Sequence, residues 1–214
     1  MFDQALALAA PVLAPAFVLW GSPITWLEIV AVALSIAMVW CNLRVNVTGW
    51  PLAIVASALY GALFAASRLY GEAALQLLFI VVSFWGWWQW LLGHSGDGQA
   101  LRVHRMSRAQ IGVAAGLTLL AWPLLGLVLR HYTDSDVPYL DALSTAGSVA
   151  GQFLLGRKLI ENWLVWLAVN LFSVGLFAFK GLWLTALLYA VFAALSVAGW
   201  RAWRARLVAP AGGA

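Results

Sequence analysis

The side chains of this protein that could hold a small molecule are amides, hydroxyls and indoles, and they fall on helical lines. At about 100° per residue, Gln76, Ser83, Trp87 and Trp90 share one helix face, and Tyr189, Ser196, Trp200 and Trp203 share another. Asn162, Trp163, Trp166, Asn170 and Ser173 form a third line; Trp50, Ser57 and Gly61 form a fourth, with Tyr60 at its margin. All stand in otherwise apolar stretches, where a polar group has to find an internal partner. One such stripe serves as glue between helices; several related stripes point to a shared path for a polar solute. Gln76, Asn170 and Tyr189 lie near the middle of their stretches and are the expected hydrogen-bonding contacts, supported by Ser83, Asn162 and Tyr60. Trp87 and Trp166 are expected to stack on a flat ring. Trp50, Trp163, Trp200 and Trp203 sit at stretch ends, where tryptophan typically anchors a helix at the membrane surface.

Other chemistry is missing. No Asp, Glu, Lys, Arg or His stands at the centre of an apolar stretch, so no intramembrane proton relay is expected. The sequence has no glycine-rich nucleotide loop, no His-Glu-x-x-His, no Cys/His cluster and no Gly-x-Ser-x-Gly elbow. The expectation is a protein that is not an enzyme, with no catalytic residue, no metal and no cofactor. His94, His104 and His131 are expected as solvated loop residues, and the single Cys41 has no internal disulfide partner.

The elements that carry these lines are set by composition. Of 214 residues, 64% are hydrophobic and 9% charged, against about 25% charged in a soluble domain. The solvent is therefore mostly lipid, and an all-α polytopic membrane protein is expected. Seven apolar runs approach the roughly 20 residues that a spanning helix needs: Trp26–Cys41, Trp50–Ala66, Ala73–Leu92, Ala109–Leu129, Leu140–Leu155, Trp163–Phe179 and Leu182–Trp203. The stretch Ala5–Trp20 is short, contains Pro11 and Pro15, and has no basic residue before it. It lacks the form of a secretory signal and is expected as an extra N-terminal helix, peripheral or briefly spanning. Alternate loops then receive nine and three of the twelve Lys and Arg residues. The side with nine should be cytoplasmic, with the C-terminus inside. These basic residues form no single cluster, so the net charge of +4 is a topology signal and no nucleic-acid partner is expected.

The chain also repeats itself. Shifted by 113 residues, Leu27–Trp90 lies on Leu140–Trp203 without a gap, and 17 of 64 positions are identical. Arg44 meets Arg157, Trp50 meets Trp163, and Ser83, Gly86, Trp87 and Trp90 meet Ser196, Gly199, Trp200 and Trp203. Three helices on each side of a single linker helix make a 3+1+3 arrangement of parallel repeats, which in transporters places substrate near the midplane at the repeat interface. The organisation expected is an N-terminal segment over 1–24, a first repeat over 25–92, a cytoplasmic loop and linker helix over 93–137, a second repeat over 138–203 and a cytoplasmic tail over 204–214.

Trp85-Gly86-Trp87-Trp88-Gln89-Trp90 and Glu161-Asn162-Trp163-Leu164-Val165-Trp166 resemble motifs of the PnuC family of bacterial vitamin transporters. Arg44-Val45-Asn46, Gly49-Trp50-Pro51-Leu52, Leu69-Tyr70-Gly71 and Asn170-Leu171-Phe172-Ser173 extend the resemblance over nearly the whole core. It implies a fold like a full-length SWEET transporter, a homotrimer, and facilitated diffusion of a vitamin across the inner membrane. A cytoplasmic kinase, a functional partner only, would trap the vitamin by phosphorylation. Nicotinamide riboside is the first expected substrate, thiamine and riboflavin the alternatives. A substrate-binding membrane subunit of an ATP-driven importer is the reading from another class. Ser83 stands where some nicotinamide riboside members have Asn, and Trp85 and Trp88 where Tyr is common; more indole and less amide would favour a larger aromatic ligand.

Overall fold

The computed structural model describes residues 15–19, 22–66, 70–94, 98–133, 137–179 and 183–208. Seven helices run through them: α1 (Trp26–Leu43), α2 (Gly49–Ala66), α3 (Tyr70–Leu92), α4 (Arg108–Tyr132), α5 (Pro138–Gly156), α6 (Asn162–Phe179) and α7 (Trp183–Val208). A helix is the form in which an apolar segment satisfies its own backbone in lipid, and the expected runs all became helices. Four of them, α1, α3, α4 and α7, contain segments long and apolar enough to cross a membrane; α2 and α6 carry shorter apolar segments. Together they make a multi-pass membrane protein. Helix α5 is the most polar of the expected spans, with Asp141, Ser144, Thr145, Ser148 and Gln152 along it.

The N-terminal expectation needs correcting. Within the stretch expected as a helix, the described residues Pro15–Leu19 form a strand, β1, paired antiparallel with β2 (Ser22–Thr25). Pro15 opens β1, where a residue without an N–H is tolerated, and Phe17 and Val18 carry the high strand propensity of aromatic and β-branched side chains. The rest of that stretch lies outside the described residues. Thr25 then closes a capping box: the Glu28 carboxylate accepts from the Thr25 N–H (2.9 Å) and the Glu28 N–H donates to Thr25 Oγ1 (3.2 Å).

The chain forms two compact units. The first comprises residues 1–41 and 46–84, the second residues 42–45 and 85–214. In the first, α2 and α3 meet where Gly61 lies against Gln76, whose Cβ is 3.4 Å from where a Gly61 Cβ would be. In the second, α5 packs on α4 and α6, and α6 on α7. Ser107 and Gln110 cap α4 reciprocally, Trp122 Nε1 donates to Tyr139 O (2.7 Å), and Gly126 makes room for the Tyr139 ring.

The 113-residue offset recurs in the backbone. Helices α2 and α6 begin and end at equivalent positions, and so do the starts of α3 and α7. Both preceding turns are Schellman motifs, a helix end sealed by a left-handed residue. Val45 N–H donates to Asn42 O (3.0 Å) and Asn46 N–H to Cys41 O (2.8 Å); at the equivalent positions Lys158 N–H donates to Leu155 O (2.9 Å) and Leu159 N–H to Leu154 O (3.0 Å). The left-handed residues are Val45 (φ 56°) and Lys158 (φ 53°), where glycine is usual. For an L residue this conformation costs about 1–2 kcal/mol, and a β-branched valine is the harder case.

Candidate functional site

The end of the second unit that carries these turns is built on indoles. Trp90, from α3, donates from Nε1 to Leu155 O at the end of α5 (3.0 Å). Trp203, from α7, donates to Asn42 O at the end of α1 (3.0 Å). Donors and acceptors are both 113 residues apart, so each half of the sequence bonds the first turn of the other. The Trp203 ring stands edge-on to Trp163 (centroids 5.6 Å) and tilted to Trp90 (6.2 Å). Gly199 is required here, since a Cβ would meet the Trp163 ring. The expectation of Trp50, Trp163 and Trp203 as lipid-surface anchors is overturned, because all three are at most 2% exposed. For Trp203 a hydrogen bond, and for Trp163 and Trp203 their edge-on contact, outweigh the interfacial preference. Among the described residues, Trp26, Trp40 and Trp88 are the exposed indoles.

The linker fastens the second turn. His104 N–H donates to Lys158 O (3.2 Å) and Ile160 N–H to His104 O (3.0 Å), a short parallel bridge. The Glu161 carboxylate accepts from Met106 N–H (3.1 Å), and Lys158 Nζ donates to Leu101 O (2.9 Å) while lying 5.0 Å over the Trp90 ring. Arg157 donates to Gln89 Oε1 (3.2 Å). Burial of Lys158 pushes its ammonium below the usual lysine pKa range.

The expected ligand contacts divide between the units. In the first, Ser83 is buried, and Tyr60 and Gln76 are half-buried. In the second, the structure joins two of the polar lines: Asn170 Nδ2 donates to Ser196 Oγ (3.2 Å), and Ser196 Oγ donates to Phe192 O (2.8 Å). Both side chains are buried. Trp166 is half-buried, and one side of its ring faces α5 at Gly151, where a Cβ would approach the indole to 3.0 Å. Trp87 is half-buried, and the half-buried Tyr189 stands edge-on to Phe192 (6.2 Å). Asn162 sits at the turn: its Nδ2 donates to Leu159 O (2.6 Å), and its buried Oδ1, like Trp163 Nε1, has no hydrogen-bond partner among the described residues.

Two features were outside the sequence expectation. Ser144 Oγ on α5 lies 3.4 Å from Ser173 Oγ on α6, and Gln152, two turns along α5, is buried. The spacing Ser144, Ser148, Gln152 is a readable helix stripe. Trp85 stacks on Phe153 (5.0 Å, 5°) against Gly156, while Trp88 is 54% exposed. The argument for a larger ligand therefore loses its two extra indoles and rests on Ser83 alone.

Comparison with known proteins agrees with this build. Residues 25–205 match the family described as nicotinamide mononucleotide transporter. The chain is similar to the riboflavin/roseoflavin transporter RibM of Streptomyces davaonensis, 27% identical over 88% of this chain and 89% of RibM. It is also similar to the nicotinamide riboside transporter PnuC of Escherichia coli, 24% identical over 86% of this chain and 87% of that protein. Its fold matches the crystal structure of the vitamin B3 transporter PnuC with a TM-score of 0.68 and 24% identity, covering 84% of this chain and 81% of that one. A family match across most of the chain, over a multi-pass helical fold with buried amides and indoles, leads to one conclusion: this chain belongs to the PnuC family of membrane transporters and is not an enzyme.

Proposed function

We propose that the protein moves a heteroaromatic B-type vitamin, nicotinamide riboside first, across the bacterial inner membrane by facilitated diffusion. The observation that carries this reading is the buried Asn170–Ser196 pair near mid-helix, one helical turn from Trp166. An amide and a hydroxyl held in an apolar segment replace the water lost by ribose hydroxyls or a carboxamide, and an adjacent indole stacks on a cationic pyridinium. Tyr189 and Trp87 complete this set, with Asn162 positioning the start of α6; Gln76, Ser83 and Tyr60 are the matching proposal in the first unit. The recurring helix ends and Schellman turns support a 3+1+3, SWEET-like organisation with one side open at a time. The nine-to-three charge split supports a cytoplasmic C-terminus. No nucleotide loop occurs, so accumulation is assigned to phosphorylation of the vitamin by a cytoplasmic kinase, and a homotrimer is the proposed assembly.

Riboflavin is the second reading, favoured by the similarity to RibM along nearly the whole of both chains. Calorimetric titration of the purified protein with nicotinamide riboside, riboflavin and thiamine ranks the three. Counterflow in liposomes without ATP is expected for the ligand that binds. Asn170→Ala is expected to weaken that ligand about tenfold, as for a lost buried hydrogen bond. Unchanged affinity in Asn170→Ala would remove this site; transport only with a co-purifying ATPase would replace the mechanism.

A further inference from the structure

The end of the second unit that carries the indole cluster is also its basic end, and we propose that it binds the phosphate groups of anionic membrane phospholipids, through Arg201 and Arg204 on α7 and through Arg102, Arg105 and Arg108 on the linker and α4. The inference goes beyond the transport reading and rests only on a membrane-spanning fold. Bonds distant in sequence gather these cations. His104 bridges the linker to Lys158 and Ile160 of the second turn. Lys158 Nζ donates to Leu101 O, one residue before Arg102, and Met106 N–H, one residue after Arg105, donates to Glu161. Helix α7 reaches the same place through Trp203, which stands edge-on to Trp163 at the start of α6. Arg206 Nη2 donates to Arg44 O (2.7 Å), so the tail of α7 lays a further cation on the first turn.

Carboxylates do not match these cations. Arg102, Arg105, Arg108, Arg201, Arg204 and Arg206 are all exposed, and among the described residues none of the six forms an ion pair. Glu161 is the only carboxylate at this end among the described residues, and it accepts from Met106 N–H. Arg157 and Lys158 add charge and bond neutral oxygens, those of Gln89 and Leu101. Like charges gathered in this way raise the local potential and draw anions to it. The neighbouring surface selects which anion. On α7 the exposed face at Leu187, Val191 and Val197 runs into Arg201, one helical turn after Val197, and then Arg204. Arg108 opens α4, where Ile111 and Leu119 are exposed. A phospholipid has the same layout. Its phosphate meets the guanidinium, whose planar fork suits phosphate oxygens, and its acyl chains lie along the apolar face. A free phosphate would use the cations alone.

Native mass spectrometry of the full chain tests this. The purified protein is offered phosphatidylglycerol and phosphatidylcholine with the same acyl chains at equal concentration, and the lipids retained are counted. Phosphatidylglycerol is expected to be retained about fivefold more than phosphatidylcholine, the gain of one cation at an anionic headgroup. The double variant Arg201→Gln with Arg204→Gln, at exposed positions, is expected to lower that ratio by about half or more. Arg105→Gln with Arg108→Gln reads the other helix and serves if the first pair fails to fold. Equal retention of the two lipids by the wild type, or an unchanged ratio in every double variant that folds, overturns the proposal. Inorganic phosphate separates the two sources of the anion. Phosphatidylglycerol adducts that persist in millimolar phosphate support a lipid site, whereas their displacement by phosphate overturns it. The transport proposal stands or falls separately, on counterflow.

Discussion

The turn Cys41–Trp50 and the turn Leu154–Trp163 have the same backbone and different surroundings. Each ends a helix with a Schellman motif, holds a non-glycine residue at positive φ and delivers a buried tryptophan to the next helix. The first has Val45 at the strained position and accepts bonds from Trp203 and Arg206. The second has Lys158 there, and the long side chain turns the strained residue into a fastener for the linker and the Trp90 ring. The local hydrogen-bond pattern is shared across the 113-residue offset; a different residue at the left-handed position and the neighbouring linker give the second turn fasteners of its own.

Six substitutions break or sharpen this contrast. Gly199→Ala forces a methyl into the Trp163 ring beside the second turn. It is expected to cost about 3 kcal/mol, at the upper end of overpacking penalties, seen as a large drop in thermal stability or failure to fold. Glu161→Ala removes the carboxylate that accepts from Met106 N–H. A loss of about 1–2 kcal/mol, with faster proteolysis in the linker, is expected. Thr48→Ala, at the equivalent position of the first turn, should change proteolysis there little.

Glycine at the two positive-φ positions gives opposite signs. Val45→Gly relieves the strained valine and is expected to raise stability by about 1 kcal/mol, whereas Lys158→Gly gains the same backbone relief and loses the Nζ contacts, so it should destabilise. A gain in both would show that Lys158 is not a fastener. The smallest effect is on pH dependence. Desolvation lowers the Lys158 pKa in the folded state, so in the window between the folded and unfolded values the unfolded chain binds more protons. Stability should therefore rise with pH through that window, in alkaline solution. Lys158→Gln should flatten this part of a melting-temperature profile, and an identical slope in the variant would contradict the assignment.

Much of the candidate site's placement was legible because its signals are one-dimensional. Helical spacing put Asn170 and Ser196 on inward lines, and the 113-residue offset marked Trp90 and Trp203 as a pair. What could not be read was whom each indole meets. An indole at the end of an apolar run satisfies both an interfacial anchor and a buried donor, and only the carbonyls of Leu155 and Asn42 distinguish them. Trp85 and Trp88 are one turn apart in sequence context and have opposite fates, one stacked on Phe153 and the other exposed. The stripe Ser144, Ser148, Gln152 was available by spacing, but in the repeat only Ser148 meets a like residue, Ser35, while Ser144 and Gln152 meet Ala31 and Val39.

The sequence by itself determined the solvent, the seven helices and the family, and it carried the 113-residue offset. Those depend on apolar run length, residue spacing and identities along the chain, and lipid leaves a long apolar segment little choice but a helix. Only the tertiary structure decided that the two halves exchange indole–carbonyl bonds, that the polar linker docks on one turn through backbone bonds, and that Pro15–Leu19 and Ser22–Thr25 pair as antiparallel strands. Those outcomes depend on which donor reaches which acceptor across more than a hundred residues, and on strand pairing, neither of which leaves a periodic trace in the chain.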